Sequence, residues 1–283
     1  MSHTQRPPSR PAVTPSSKDA ASAWRTALTL VEPNRICVRG YALDEAMGRL
    51  SFGEAVYLLL VGELPTPTIG RLMEALLVSS IDHGTTPPST NAARNVATSG
   101  APLRASVAAG VLAFGEYHGG DIEACMHVLA RGLALVRDGR SYDQAATTIV
   151  AAAREAGEAI PGFGHRLHTE DPRTARLFQM ALELELDGPH VQMIRAIDRV
   201  IRTSRATDEP HRPINVDGAI AAVSADLGLD TAIGNAIFII SRVAGLIGHA
   251  REEAQRQRPM RSIDPTAASY DGPRPRRFPE RRQ

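Results

Sequence analysis

From about residue 18 to residue 255, almost every segment of this chain repeats its apolar side chains at helical spacing, and no convincing series of alternating strands interrupts them. Side chains that recur every three or four positions form one apolar stripe, which is buried by packing helix on helix. The chain is therefore read as all-α. Ser51-Phe52-Gly53-Glu54 has the form of a capping box and opens the apolar run Ala55–Val61. Leu64-Pro65-Thr66-Pro67 breaks that helix, and a new one is expected from about Thr68 to Ser80. Further helices are expected near 18–31, 88–98, 102–115, 119–137, 142–156, 173–187, 189–206, 217–227 and 231–255. Asp230 caps the last, whose early part is apolar on almost every face, as suits a helix in the core or at a subunit interface. Arg35–Arg39 reads as a strand or an extended link. Residues 1–17 and 272–283, rich in Pro, Ser and Arg, read as disordered tails.

Charge narrows the choice of partner. The 32 basic residues nearly balance 31 acidic ones, which recommends neither a nucleic acid nor a membrane surface. All the bases but Lys18 are arginines, whose planar fork suits carboxylates and phosphates. Cys37 and Cys125 have no metal-like spacing, so free thiols in a reducing compartment are expected. The N-terminal residues lack the apolar run of a secretory signal, and the stretches Ala55–Val61 and Ile237–Ile247 are too short or too interrupted to span a bilayer. A cytoplasmic location is expected.

The chemistry concentrates in Pro161-Gly162-Phe163-Gly164-His165-Arg166, followed by Asp171-Pro172-Arg173. Two glycines allow backbone shapes and close ligand approach that a Cβ would block. Asp171 is a good N-cap and Pro172 suits the first helical position. Arg173 then falls in a first turn, where free N–H groups already favour an anion. An imidazole beside an arginine-equipped helix start points to acid–base chemistry on a carboxylate.

Other residues admit two readings each. His118, followed by Gly119-Gly120, either leaves room for a bulky ligand or sits as a surface histidine after a helix. Asp217, in Asn215-Val216-Asp217-Gly218, is either an ordinary helix N-terminal carboxylate or a general base. His83 is expected to end a helix, where the dipole alone favours it. Arg242 lies among Ile239, Ile240, Val243 and Leu246, where a charge needs a buried acid or a bound anion. His249 faces solvent or the same pocket, and Arg258 and Arg261 are expected to be solvated. The histidines stand on separate elements without zinc spacing, and no P-loop or dinucleotide fingerprint occurs, so no metal or nucleotide cofactor is expected.

Taken in order, these pieces resemble the citrate synthase superfamily over about Arg35 to Asp271. The resemblance is carried by Arg39-Gly40-Tyr41, by Ser51 through Thr66, and by Asp82-His83, His118-Gly119-Gly120, Pro161–Arg166, Asp171-Pro172-Arg173, Asn215-Val216-Asp217 and Arg242. The chain is much shorter than typical synthases, Glu116-Tyr117 replaces the usual Pro-Leu, and the interval from His165 to Arg173 is one residue shorter. His168 falls near a basic CoA contact of the longer enzymes. Asp82-His83-Gly84 with Pro87-Pro88-Ser89, and Gly245-Leu246-Ile247-Gly248-His249, look closer to citryl-CoA lyases and the lyase module of ATP-citrate lyase.

The resemblance implies a homodimer whose large helical domain (18–118 and 226–271) flanks a smaller one (119–225), with the active cleft between them. It implies a CoA thioester as substrate, with acetyl-CoA and oxaloacetate, or citryl-CoA and citrate, as reaction partners. His118, His165 and Asp217 correspond to the catalytic residues. His83, Arg173, Arg242 and, from a neighbouring subunit, Arg258 correspond to carboxylate-binding positions. Gly162, Phe163, Gly164, Arg212 and Asn215 correspond to the CoA-binding region. The implied chemistry is proton removal from the thioester methyl by Asp217, with His118 holding the enolate oxygen and His165 protonating or hydrogen-bonding the new alkoxide. Run backwards, His165 would draw the proton from the tertiary hydroxyl and Asp217 would return one to carbon. Cleavage of citryl-CoA is the favoured direction. A short citrate or 2-methylcitrate synthase, and a silent CoA-thioester-binding subunit, are the alternatives.

Overall fold

A computed structural model describes residues 25–165, 168–204, 212–262 and 264–278. The expected tail 1–17, the start of the expected helix near 18–31, Arg166 of the glycine loop and the last residues of the C-terminal tail lie outside them. The chain divides into two units, one ending at Ser51 and the other running from Phe52 onward.

The first unit departs from the helical expectation. Strands β1 (Thr29–Glu32), β2 (Arg35–Val38) and β3 (Tyr41–Ala42) form an antiparallel meander, followed by a single helical turn, α1 (Leu43–Ala46). The register sets Thr29 against Val38 and Glu32 against Arg35, then Val38 against Tyr41. Arg39 (φ 51°) and Gly40 (φ 91°) both take left-handed backbone, the two-residue hairpin turn whose twist matches the strands. Strands of two to four residues are too short to announce themselves by alternation, which is why a helix was expected up to residue 31 and only Arg35–Arg39 was read as a strand or extended link.

The second unit is helical: α2 (Phe52–Val61), α3 (Pro67–Ser79), α4 (Pro88–Ala97), α5 (Leu103–Leu112) and α6 (Asp121–Arg137). It continues with α7 (Tyr142–Ala156), α8 (Pro172–Glu183), α9 (Pro189–Ser204), α10 (Val216–Asp226) and α11 (Gly234–Arg256). Local chemistry explains their ends. Thr66 accepts from the Ile69 N–H with Pro67 at the first position of α3. Ser141 and Gln144 close a reciprocal capping box at α7, which ends on left-handed Gly157. Asp171 caps α8 and Asn215 caps α10.

Helix α10 packs against α6, α8 and α9, and α11 packs against α3, α4, α5 and α6. Residues Gly218–Ser224 of α10 are all buried, so it is the central helix of this unit. In α11, by contrast, only one face is buried, including Ile237, Phe238, Ser241, Arg242 and Leu246. Thr231–Arg256 is long and apolar enough to cross a membrane, with mean hydropathy 1.6. Its buried Arg242 and Glu253 and its contacts with four helices suit a core helix. Glu253, fully buried, binds Arg94 (2.7 Å) and Arg261 (2.5 Å), so Arg261 is paired rather than solvated as expected.

Candidate active site

The glycine loop is fastened to the start of α10. The Gly164 N–H donates to the Pro213 carbonyl (2.8 Å), the Asn215 N–H donates to the Gly162 carbonyl (3.0 Å), and Phe163 bridges Ile214. Asn215 adds a side-chain bond from Nδ2 to the Gly164 carbonyl (3.0 Å) while its Oδ1 accepts from the Gly218 N–H (3.0 Å). Gly162 and Gly164 have φ of 84° and 90°, and a Cβ on Gly162 would lie 2.7 Å from Cys125 Sγ. Only glycine meets both demands there.

This arrangement places one end of a cavity of about 570 Å³, within the ~300–1,000 Å³ range of small-molecule sites. His118, His165 and Asp217 all line it, as do His83, Arg173 and Arg242. Of the residues expected at the cofactor, Gly164 and Asn215 line it, while Gly162, Phe163 and Arg212 do not. Arg258 does not line it either. That arginine is exposed, and its carbonyl accepts from Thr98 Oγ1 (3.4 Å).

Burial and hydrogen bonds constrain the imidazoles. His165 Nδ1 accepts the His168 backbone N–H (3.1 Å), and an acceptor nitrogen carries no hydrogen. Burial, then neighbouring His168, pushes His165 below its ordinary range, so at neutral pH the ring is uncharged with its hydrogen on Nε2. His83 is lowered by burial and then by the charge of Arg173. His118, expected either at a ligand or on the surface, is half-buried among Phe114 and Phe238, with Nε2 bonded to Ser89 Oγ at 2.7 Å.

Asp217 is the least compensated group. Its Oδ1 is buried and has no hydrogen-bond partner among the described residues. Burial, then the nearby Asp121 carboxylate, pushes its carboxyl up to about 6. Arg242 is only 2% exposed; its Nε donates to the Ser80 carbonyl (2.8 Å) and its guanidinium lies 4.7 Å from the centre of the Phe238 ring. Its Nη1 is buried and finds no partner among the described residues, so the expected buried acid is not in direct contact and an anion remains the fitting ligand. One edge of the Arg173 guanidinium is already held by buried Asp171, through Nε to Oδ1 (2.9 Å) and Nη2 to Oδ2 (2.7 Å).

Some placements differ from expectation. His83 lies beyond the end of α3, in the turn where Asp82 accepts the Gly84 N–H. His249 binds Asp82 (3.0 Å), so it anchors that turn rather than facing solvent alone. Asp82 and Ser89 entered only as part of the resemblance, and no role was expected for them or for Asp121, since nothing local marks a serine, an aspartate or a turn acid as a partner of residues far along the chain. A nitrogen from each of His83, His165 and His168 lies within 4.8 Å of the others, a metal-capable grouping that no sequence spacing announced. Arg173 and Arg242 line the same cavity, and their charge favours a carboxylate ligand over a cation. A buried base, two positioned imidazoles and two guanidiniums together suit proton removal beside a carbonyl with carboxylates held nearby.

Comparison with known proteins gives the family. Residues 65–263 match the family model "Citrate synthase, C-terminal domain". The chain is similar to the solved citryl-CoA lyase from Hydrogenobacter thermophilus, at 41% identity and TM-score 0.83, over 91% of this chain and 98% of that one. It is 30% identical over 224 residues to citrate synthase 2 of Bacillus subtilis (strain 168), covering 77% of this chain and 55% of that protein. The fold also matches Methanosaeta concilii ATP citrate lyase, at 19% identity and TM-score 0.77, over 96% of this chain and 47% of that one. The chain thus spans about half the length of the curated synthases it matches.

Proposed function

Since this chain belongs to the citrate synthase family, we propose that it cleaves citryl-CoA to acetyl-CoA and oxaloacetate. The observation that carries this reading is likeness. The chain is 41% identical to a solved citryl-CoA lyase, with a TM-score of 0.83, whereas it is 30% identical to citrate synthase 2 of Bacillus subtilis.

The roles follow from physical chemistry. A thioester methyl is a very weak acid, and an ordinary aspartate, with a pKa of about 3.9, is a feeble base for it. Asp217 is made a stronger base by its dry setting, and the enolate oxygen takes a hydrogen bond from His118. With Nε2 of His118 held by Ser89, that bond runs through Nδ1. In condensation the carbon attacks the ketone of oxaloacetate, while the Nε2–H of His165 and the guanidinium of Arg242 stabilise the forming alkoxide. Arg173 and His83 hold carboxylates. Cleavage retraces these steps. In cleavage ionised Asp217 takes up the proton that the tertiary hydroxyl loses and returns it to carbon, and in condensation it passes the methyl proton to the alkoxide, so it begins and ends each turnover ionised.

Of the roles the resemblance gives His165, the geometry favours the hydrogen-bond donor. With Nδ1 accepting from the backbone, its Nε2 already bears a hydrogen, so the ring acts as a donor rather than taking the hydroxyl proton. The proposal also includes CoA contacts from the Gly162–Gly164 loop, Arg212 and Asn215. It further includes a smaller domain of residues 119–225, a homodimer in which Arg258 reaches the partner's cavity, and a cytoplasmic location.

A synthase reading is favoured by the Bacillus subtilis relative. One experiment separates the two. The protein is incubated with citryl-CoA and, separately, with acetyl-CoA plus oxaloacetate, and acetyl-CoA and free thiol are followed. Acetyl-CoA formed from citryl-CoA without thiol release is the expected result, and rapid thiol release in both incubations would make it a synthase.

A further inference from the structure

Two helix starts, each carrying an aspartate, meet at the Gly162 turn. Asp121 opens α6, and the nearby Gly162 backbone N–H favours its ionised form. The other side of that residue, its carbonyl, accepts from Asn215, two positions before Asp217. A Cβ on Gly162 would sit 2.8 Å from the Gly218 Cα and 2.7 Å from the sulfur of Cys125, one turn after Asp121 in α6. The starts of α6 and α10 are therefore pressed together with one glycine between them, and both Asp121 and Asp217 line the cavity.

Resting on Asp217 as the base, we infer that Asp121 is a positioning residue acting through Asp217, its carboxylate lining the same cavity. An acid in a first helical turn is ordinarily favoured by the helix dipole. Here burial outweighs that bias and raises the Asp121 carboxyl, even with the Gly162 N–H opposing it. The charge of Asp121 in turn disfavours ionised Asp217. The remaining charged groups around Asp217 are Arg173 and Asp171 at the start of α8 and Arg242 from α11; Cys125 from α6 stays protonated. His83, His118 and His165 line the same cavity. The two guanidiniums lower the proton affinity of Asp217, and Asp121 offsets them. Its effect is to keep Asp217 basic enough to take a proton from carbon while the cations needed for the carboxylates stand close by.

The test is the pH profile of kcat/KM for citryl-CoA cleavage in the parent, Asp121→Asn, Asp121→Glu and Asp217→Asn proteins. Asp121→Asn keeps the shape and the hydrogen-bonding oxygen but removes the charge. Its acidic limb should move down by roughly one pH unit, with a several-fold lower plateau from a weaker base. Asp121→Glu should restore the parent limb. If Asp121→Asn alters thermal stability while its limb coincides with the parent's and Asp217→Asn is inactive, Asp121 is only a helix-start acid and the inference fails alone. Full activity in Asp217→Asn would overturn the functional reading and this inference together.

Discussion

The backbone N–H of His168 donates to Nδ1 of His165, and this single bond fixes which way the His165 ring can act. His165→Ala should lower kcat by roughly 10²–10³, the usual loss for one oxyanion donor. His165→Asn, whose amide can still donate, should recover part of that loss in steady-state assays. An asparagine variant no better than alanine would return His165 to the role of a base.

Asp217 must be ionised to act, and its carboxyl is raised to about 6 by burial and then by Asp121. The fraction of active enzyme therefore falls as pH drops through about 6. Cleavage and condensation exchange no net proton, so kcat/KM should show the same acidic limb in both directions. A limb near 4 in both would mean that Asp217 is not in this environment.

The same raised carboxyl costs stability. A carboxylate whose folded pKa lies above its unfolded value of about 3.9 destabilises the fold fully above pH 6, and that penalty disappears as pH falls towards 4. Asp217→Asn should thus be more stable than the parent by about 2–3 kcal/mol at pH 8, with the gain fading at pH 4.5, while losing roughly 10²–10⁴ in turnover. Denaturant titrations at the two pH values check the sign.

Arg242→Met keeps most of the side-chain volume beside Phe238 but removes the charge. The KM for oxaloacetate in the condensing assay should rise roughly 10–100-fold, the worth of a charged hydrogen bond. A folded variant with an unchanged KM would take Arg242 out of the substrate site.

Ser89→Ala removes the group that holds His118 Nε2. Turnover should fall about 3–10-fold, the value of one neutral hydrogen bond, with KM for the dicarboxylate unchanged. A change in that KM instead would assign Ser89 to carboxylate binding.

Most helices were legible because their stop and start signals are local. Pro67, Asp171-Pro172 and Asn215 mark boundaries through bonds to residues two or three positions away. The glycines at 162 and 164 were legible for the same reason, since positive φ is a property of the residue itself. The meander from Thr29 to Ala42 was not, because strand pairing is made by residues outside a short window.

The candidate site divides in the same way. His118, His165, Asp217, His83, Arg173 and Arg242 could be picked out by residue type and order, and all six line one cavity. What each can do there depended on partners distant in the chain: Ser89 for His118, the Ser80 carbonyl for Arg242, and Asp121 for Asp217. By itself the sequence determined which chemical groups and which local helix ends were present, because these follow from covalent structure and short-range bonds. Only the tertiary structure decided their protonation, orientation and mutual charge, because desolvation and Coulomb forces depend on what is packed nearby in space.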